Sequence, residues 1–398
     1  MVGYQAFAEL CQSADSDARG HAAHLAALAY LDHRGHAEEH AALYAALIGF
    51  LDDPSVKVRA ALAYGLLHAD TAPRPVILSL LGDSPVISRA VLQYSPVLID
   101  ADLAPLIRRG EISDLVAIAQ RRSISARLAG MMLEAEQREV SLLLLRRLEV
   151  AAPAEVLLAL AMRHSGDPQV RGALLARQDL PAQGRLILIR AVAEGLKSCR
   201  VVKGSLTSGR LNKILRDSLD TAISVIGEAS DGDTRYVDDL AVSENLNTRT
   251  LLHALVNGRV LFFSDCIGHL AGVKTEKVFS VLNSGGRATV AALFARAGLA
   301  PSVVGLMVRF IQHARMTDLS DDVSARHYVV TALTEELLAE YSNDIPFELE
   351  EAFGYLSEQN ITLARQAARG VVSAFAEHRI GAFALPAPAE ERIALPAA

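Results

Sequence analysis

The feature that most limits how this chain can fold is an aliphatic spacing that recurs four times. Leu92, Ile118, Leu144 and Leu174 stand 26, 26 and 30 residues apart, and each has another aliphatic residue six positions on: Leu98, Ile124, Val150 and Leu180. A capping or breaking residue comes next (Asp100, Ser125, Pro153, Pro181), then a second apolar run at helical spacing, at 103–107, 128–133, 156–162 and 186–192. Leu62 opens an earlier, less regular copy 30 residues before Leu92. A unit of this length with two helices is a tight hairpin whose helices run roughly ten residues each. Neither helix covers its apolar face alone, so the hairpins must stack on one another. The pattern predicts an all-α chain: an α-solenoid of short hairpins over residues 1–200, a second helical domain over 201–380, and a flexible Pro/Ala tail over 381–398.

Composition supports packed helices and narrows the function classes. Of 398 residues, 51% are hydrophobic, 5% aromatic and none is Trp; an apolar share that high excludes wholesale disorder, and its Ala, Leu and Val favour helix-on-helix packing. The formal charge of −7 argues against a general nucleic-acid binder, whose domains are usually basic. Cys11, Cys199 and Cys266 are scattered and form no C-x-x-C, which reads as a reducing compartment. No basic-then-apolar leader opens the sequence and no apolar run reaches the roughly 18–20 residues of a membrane span, so a soluble, cytoplasmic protein is expected.

Helix starts are written as Asp53-Pro54 and Asp167-Pro168, with a capping carboxylate before a proline at the first helical position, and more loosely as Asp83-Ser84-Pro85. The pattern breaks at residues 202–209, which read as a loop joining subdomains. Helical spacing returns at 211–229. A polar stretch with Asp231-Gly232-Asp233 follows, then helices near 247–257, 259–271, 274–283, 287–297, 301–315, 323–342, 346–357 and 360–378. Gly285-Gly286 and Gly298 fit helix ends.

One run, Leu80-Leu81-Gly82-Asp83-Ser84-Pro85-Val86-Ile87-Ser88-Arg89-Ala90-Val91-Leu92, continuing through Gln93-Tyr94-Ser95-Pro96-Val97-Leu98 to Leu103, resembles a bacterial all-helical family, domain-of-unknown-function family 2336. Further matching stretches are Ala117-Ile118-Ala119-Gln120-Arg121-Arg122, Gly258-Arg259-Val260-Leu261-Phe262-Phe263, Leu270-Ala271-Gly272-Val273 and Arg296-Ala297-Gly298-Leu299-Ala300-Pro301. The likeness covers about residues 45 to 315. Its motifs are caps and core positions. In this chain Ala300 precedes the proline where the family pattern leads to Leu-Pro directly. The resemblance implies HEAT-like helices, although the repeat is shorter than the roughly 40–47 residues of a standard HEAT unit. It carries no catalytic residue to transfer.

Arginine occupies one equivalent position three times: Arg121, Arg147 and Arg177 each lie three residues after an anchor, where Ser95 and Gly65 stand in earlier copies. Equivalent positions of a stack line up, so the guanidiniums form a ladder. It either staples neighbouring repeats through carboxylates or carbonyls, or faces an acidic partner. A basic segment from 185 to 216 (including Arg200, Lys203, Arg210 and Lys213) and an acidic one from 328 to 364 are each a solvated face, or meet within the chain or across a homodimer. His33, His36 and His40, with His21, His24 and Glu39 nearby, have spacings that on one helix could hold zinc, but Gly35 interrupts them and no H-E-x-x-H is present. Neither a nucleotide-binding loop nor a G-x-S-x-G elbow is found, and Asp231-Gly232-Asp233 does not fit an EF-hand. The sequence therefore points to a cytoplasmic helical-repeat scaffold or regulatory adaptor that binds another protein. It would have no catalytic activity, no cofactor and no bound metal. A HEAT-like nucleic-acid-binding enzyme and a metal-dependent enzyme built on the His cluster are the alternatives.

Overall fold

Aspartate and proline set several helix starts. Asp167 accepts hydrogen bonds from the backbone N–H groups of Gln169 and Val170, with Pro168 at the first helical position. Asp53 works one step further out. Its carboxylate closes a turn onto the Ser55 N–H at 2.8 Å, and the helix begins only at Val56 with Ser55 as its cap. The computed structural model describes residues 4–230, 234–317, 319, 322–342 and 344–378. Asp231-Gly232-Asp233 and the tail over 381–398 lie outside the described residues.

Among the described residues every regular element is a helix, and none is long and apolar enough to cross a membrane. The chain divides into two compact units, Met1–Leu196 and Lys197–Ala398. The first holds α1 (Tyr4–Cys11), α2 (Ser16–Asp32), α3 (Ala37–Leu51), α4 (Val56–Leu66), α5 (Arg74–Leu81), α6 (Pro85–Tyr94), α7 (Asp100–Arg109), α8 (Ile112–Ala119), α9 (Ala126–Glu134), α10 (Arg138–Leu145), α11 (Ala154–His164) and α12 (Pro168–Leu175), and α13 (Ala182–Ser198) closes it. The second holds α14 (Arg200–Ser205), α15 (Ser208–Ala229), α16 (Thr234–Val242), α17 (Thr248–Val256), α18 (Val260–Ala271), α19 (Thr275–Ser284), α20 (Arg287–Arg296), α21 (Pro301–Ala314), α22 (Val323–Tyr341) and α23 (Phe347–His378).

In the first unit the four anchors occupy the same place. Leu92, Ile118, Leu144 and Leu174 are buried in the last turn of α6, α8, α10 and α12, and those helices pack in sequence, α4 on α6, α6 on α8, α8 on α10 and α10 on α12. Their partners pack likewise, α7 on α9 and α9 on α11. A single apolar core runs from Ala22 to Leu188. The helices of the anchor copies are 8–11 residues long up to α12, so each depends on its neighbours rather than on its own propensity.

The second unit is built around α17 and α18. Arg249 through Val256 of α17 are buried without a break, as are Phe262 through Gly268 of α18, so those two stretches are covered on all sides. The pattern break expected over 202–209 is only two residues wide: α14 ends at Ser205 and α15 starts at Ser208. The two helices expected at 346–357 and 360–378 are one, α23, because Glu358, Gln359 and Asn360 include no helix breaker and Gln359 is itself buried. Gly285 ends α19, Gly286 caps α20, and Ala300 caps α21 with Pro301 at its first position. Gly298, at φ +82°, takes the left-handed conformation that glycine adopts at no steric cost.

Where α15 crosses α18, Gly227 lets the backbones meet: a Cβ there would lie 2.1 Å from Cδ2 of the fully buried Phe262. Gly227→Ala is expected to destabilise the second unit by about 1–3 kcal/mol through overpacking. The Gly227→Ala/Phe262→Leu double variant should lose much less than the sum of the two single effects in urea unfolding followed by circular dichroism. Additive losses would contradict this contact.

Candidate functional site

An α-helix ends with four carbonyls that lack intrahelical partners and carry its negative pole. In the first unit an arginine from the next repeat fills that need. Arg121, two residues past the end of α8, donates to the carbonyls of Leu92 and, at 2.8 Å, Ser95 at the end of α6. Arg147, two past α10, donates at 2.7 Å to Ala119 and Arg121, and also to Arg122, at the end of α8. Arg177, two past α12, reaches Leu145, Arg147 and, at 2.7 Å, Val150 at the end of α10. Arg185 of α13 repeats the device on Leu175, Arg177 and Gln178 at the end of α12. Arg121 and Arg177 are only 7% and 2% exposed, and burial pushes the Arg121 pKa down. The ladder anticipated from the spacing is thus an internal staple onto main-chain carbonyls. Arg121 and Arg177 are turned inward, while Arg147 stays 21% exposed and also pairs with Glu149 at 2.7 Å.

A second set of arginines binds the carboxylates at helix starts. Arg19 meets Asp53 at 2.7 Å, Arg59 meets Asp83 at 2.6 Å, and Arg138 meets Asp167 at 2.7 Å. Hydrogen bonding to the guanidinium holds the carboxyls of Asp53 and Asp83 below their usual range, and that of Asp167 at about 2. The Asp-Pro caps were legible in the sequence. Their arginine partners were not, although Arg59 sits six residues after Asp53 and bonds back to its carbonyl at 2.7 Å.

The other anticipated residues fall in different settings. Arg200, Lys203, Arg210 and Lys213 are exposed on α14 and the start of α15. The basic and acidic segments touch at Lys213–Glu358, 3.2 Å. Acids elsewhere in the acidic run turn to α21: Glu340 to Arg309, Glu336 to His313 and Glu348 to Ser302. The His cluster does not share a helix face. His33 ends α2 and His36 caps α3, with Gly35 between them, and His33 Nε2 contacts the His36 carbonyl at 3.2 Å. Among the described residues no group of three or more His, Cys, Asp or Glu side chains is placed to hold a metal ion.

The densest polar constellation lies in the second unit, where α15, α17 and α23 meet, and was not anticipated. The buried Arg249 donates to Asp220 at 2.7 Å and Asp217 at 2.6 Å, stands 3.6 Å from Glu358, and lies 4.9 Å from the ring centre of Tyr355. Beside it, Tyr355 Oη is 3.0 Å from His253 Nδ1, and His253 Nε2 is 3.2 Å from Thr221 Oγ1, which donates to the Asp217 carbonyl at 2.8 Å. One proton arrangement satisfies the whole chain: Tyr355 donates to Nδ1, Nε2–H donates to Thr221, and Thr221 donates to the carbonyl. In that arrangement the Thr221 hydroxyl proton is held by the backbone and His253 has no free acceptor, so the hydroxyl is not activated as a nucleophile. The cluster ties three helices together.

A cavity of about 510 Å³ opens in the same unit, within the range of small-molecule sites. Leu255, Phe263, Leu282 and Ile311 wall it, and Glu228, Asn283, Arg315 and Thr317 are its polar or charged members, Thr317 donating its hydroxyl to the His313 carbonyl.

Burial and the neighbouring Arg249 and Arg259 hold the His253 pKa down at about 4, against 6.5 for an ordinary imidazole. A pKa lowered on folding contributes stability that is complete above pH 6.5 and is lost as the pH falls through 4, an effect of about 3 kcal/mol. Chemical unfolding of the second unit is expected to show this loss between pH 6.5 and 4. His253→Gln, which can still accept from Tyr355, should flatten it. Equal pH slopes in the two proteins would contradict the buried neutral imidazole.

No curated protein and no solved structure matches the chain. A family model described as an uncharacterised protein conserved in bacteria matches residues 87–345, which takes in the repeats from α6 onward and most of the second unit. The chain belongs to that bacterial family, domain-of-unknown-function family 2336.

Proposed function

We propose that this chain is a cytoplasmic, non-catalytic scaffold or regulatory adaptor whose first unit is an α-solenoid of HEAT-like hairpins that docks another protein. One observation carries the reading. The position two residues after each anchor is exposed in every copy, giving Tyr64, Tyr94, Gln120, Arg146 and Ala176 at equivalent sites on successively packed helices. Tyr64 is 69% and Tyr94 48% exposed, and each is flanked by a histidine, His24 with ring centres 5.6 Å apart and His68 at 5.4 Å. Large side chains held out by stacked helices form an extended strip. Tyrosine and arginine are the residue types most often dominant at protein interfaces. The exposed cations Arg200, Lys203 and Arg210 belong to the second unit and, by themselves, suit an acidic partner.

The residues with chemical potential support a structural role. The arginines of the repeats cap helices, and the Tyr355–His253–Thr221 chain closes on itself. A photo-crosslinking residue placed at position 94 in the native cell should give discrete adducts with a defined protein. Those adducts should be lost when Tyr64→Ser and Arg146→Glu are added, with folding unchanged because both sites are exposed. Adducts that are absent, or that persist undiminished in the double variant, would refute the strip as a docking surface.

A further inference from the structure

We propose that the cavity of the second unit binds an amphiphile with an apolar body and a single anionic head group. This goes beyond the docking reading and does not rest on it. The walls set the body: Leu255, Phe263, Leu282 and Ile311 are buried, while Phe279 and Val260, lining the same space, are 42% and 40% exposed. Apolar surface left open to water beside a cavity of about 510 Å³ is surface that a ligand can cover.

Two polar side chains set the head group. Arg315, just past the end of α21, donates from Nε to the Leu282 carbonyl at 2.8 Å and from Nη2 to the Val281 carbonyl at 3.0 Å. Those bonds fix the guanidinium at the end of α19 and, among the described residues, leave Nη1 without a hydrogen bond. Asn283, the residue after Leu282, brings an exposed carboxamide to the same edge with no side-chain hydrogen bond among the described residues. A fixed cation with spare N–H groups beside an amide donor matches a carboxylate or phosphate oxygen. The acid in the lining, Glu228, does not oppose this. Its two oxygens accept the first-turn amides of α18, Phe262 N–H at 2.9 Å and Leu261 N–H at 3.4 Å, so its charge is met by the positive pole of that helix. Burial of the chain in the cavity supplies affinity, and the guanidinium chooses the head.

Isothermal titration of the full chain with dodecanoate, dodecyltrimethylammonium and dodecyl maltoside, each below its critical micelle concentration, tests both parts. The expected result is one dodecanoate per chain, with the cationic and neutral amphiphiles about tenfold weaker or more. Ala314→Leu, which narrows the cavity without touching the head-group site, should abolish saturable binding. Arg315→Gln should bring the affinities for the three head groups together. Should that variant lose its fold, Asn283→Ala is expected to lower dodecanoate affinity alone. The absence of saturable dodecanoate binding, equal binding of the ammonium amphiphile to the unaltered protein, or undiminished binding to Ala314→Leu would overturn the proposal.

Discussion

Short helices leave carbonyls behind, and the rest of this structure follows from how those carbonyls are satisfied. A helix of eight residues, such as α8, α10 or α12, has about twice as many unpaired terminal groups as internal hydrogen bonds to offset them. Packing short helices against one another buries those ends, and a buried carbonyl without a donor costs about 1–3 kcal/mol. Arg121, Arg147, Arg177 and Arg185 answer that need by reaching back one repeat. The second unit uses the same chemistry: Arg296 donates to the Ala271 carbonyl at the end of α18, and Arg315 to the end of α19. A planar fork with five donors can bridge several carbonyls at once, which a lysine cannot do with the same geometry.

The staple and the carboxylate pairs act at opposite helix termini. Guanidiniums sit against the negative C-terminal poles, and Asp53, Asp83 and Asp167 sit at the positive N-terminal ends, each held by an arginine from an earlier helix. Along the row α4, α6, α8, α10 and α12, each helix is thereby fixed to the one before it at one end at least, α4 and α6 through the carboxylate pair, α8 and α10 through the staple, and α12 through both. Such local, neighbour-to-neighbour bonding leaves the outer strip free of structural duty. On that footing the proposed docking role is placed on Tyr64, Tyr94 and Arg146, not on the arginine ladder.

Much of the first unit was legible because its period is local. Leu92, Ile118, Leu144 and Leu174 could be aligned by spacing, and the arginine three residues on followed at once. Spacing could not tell a staple from a ligand-facing ladder, because both require arginine at equivalent positions and differ only in side-chain direction. The second unit was legible as helices but not as a site. Tyr355 and His253 are 102 residues apart in sequence and meet only through packing of α17 against α23. The His33, His36 and His40 spacing makes no helix face for the reason visible in the sequence: Gly35 marks a turn between two helices, and helical geometry does not extend across it.

The central claim is that arginines bonded to helix-end carbonyls couple each repeat to its predecessor. Native-state hydrogen exchange on Arg147→Ala and Arg177→Ala tests it most directly. Loss of Arg147 is predicted to lower protection in the last turn of α8 and in α10, with α4 and α6 nearly unchanged, and loss of Arg177 to shift that effect one repeat onward, to α10 and α12. Uniform loss of protection throughout the first unit, or none at all in either variant, would contradict it.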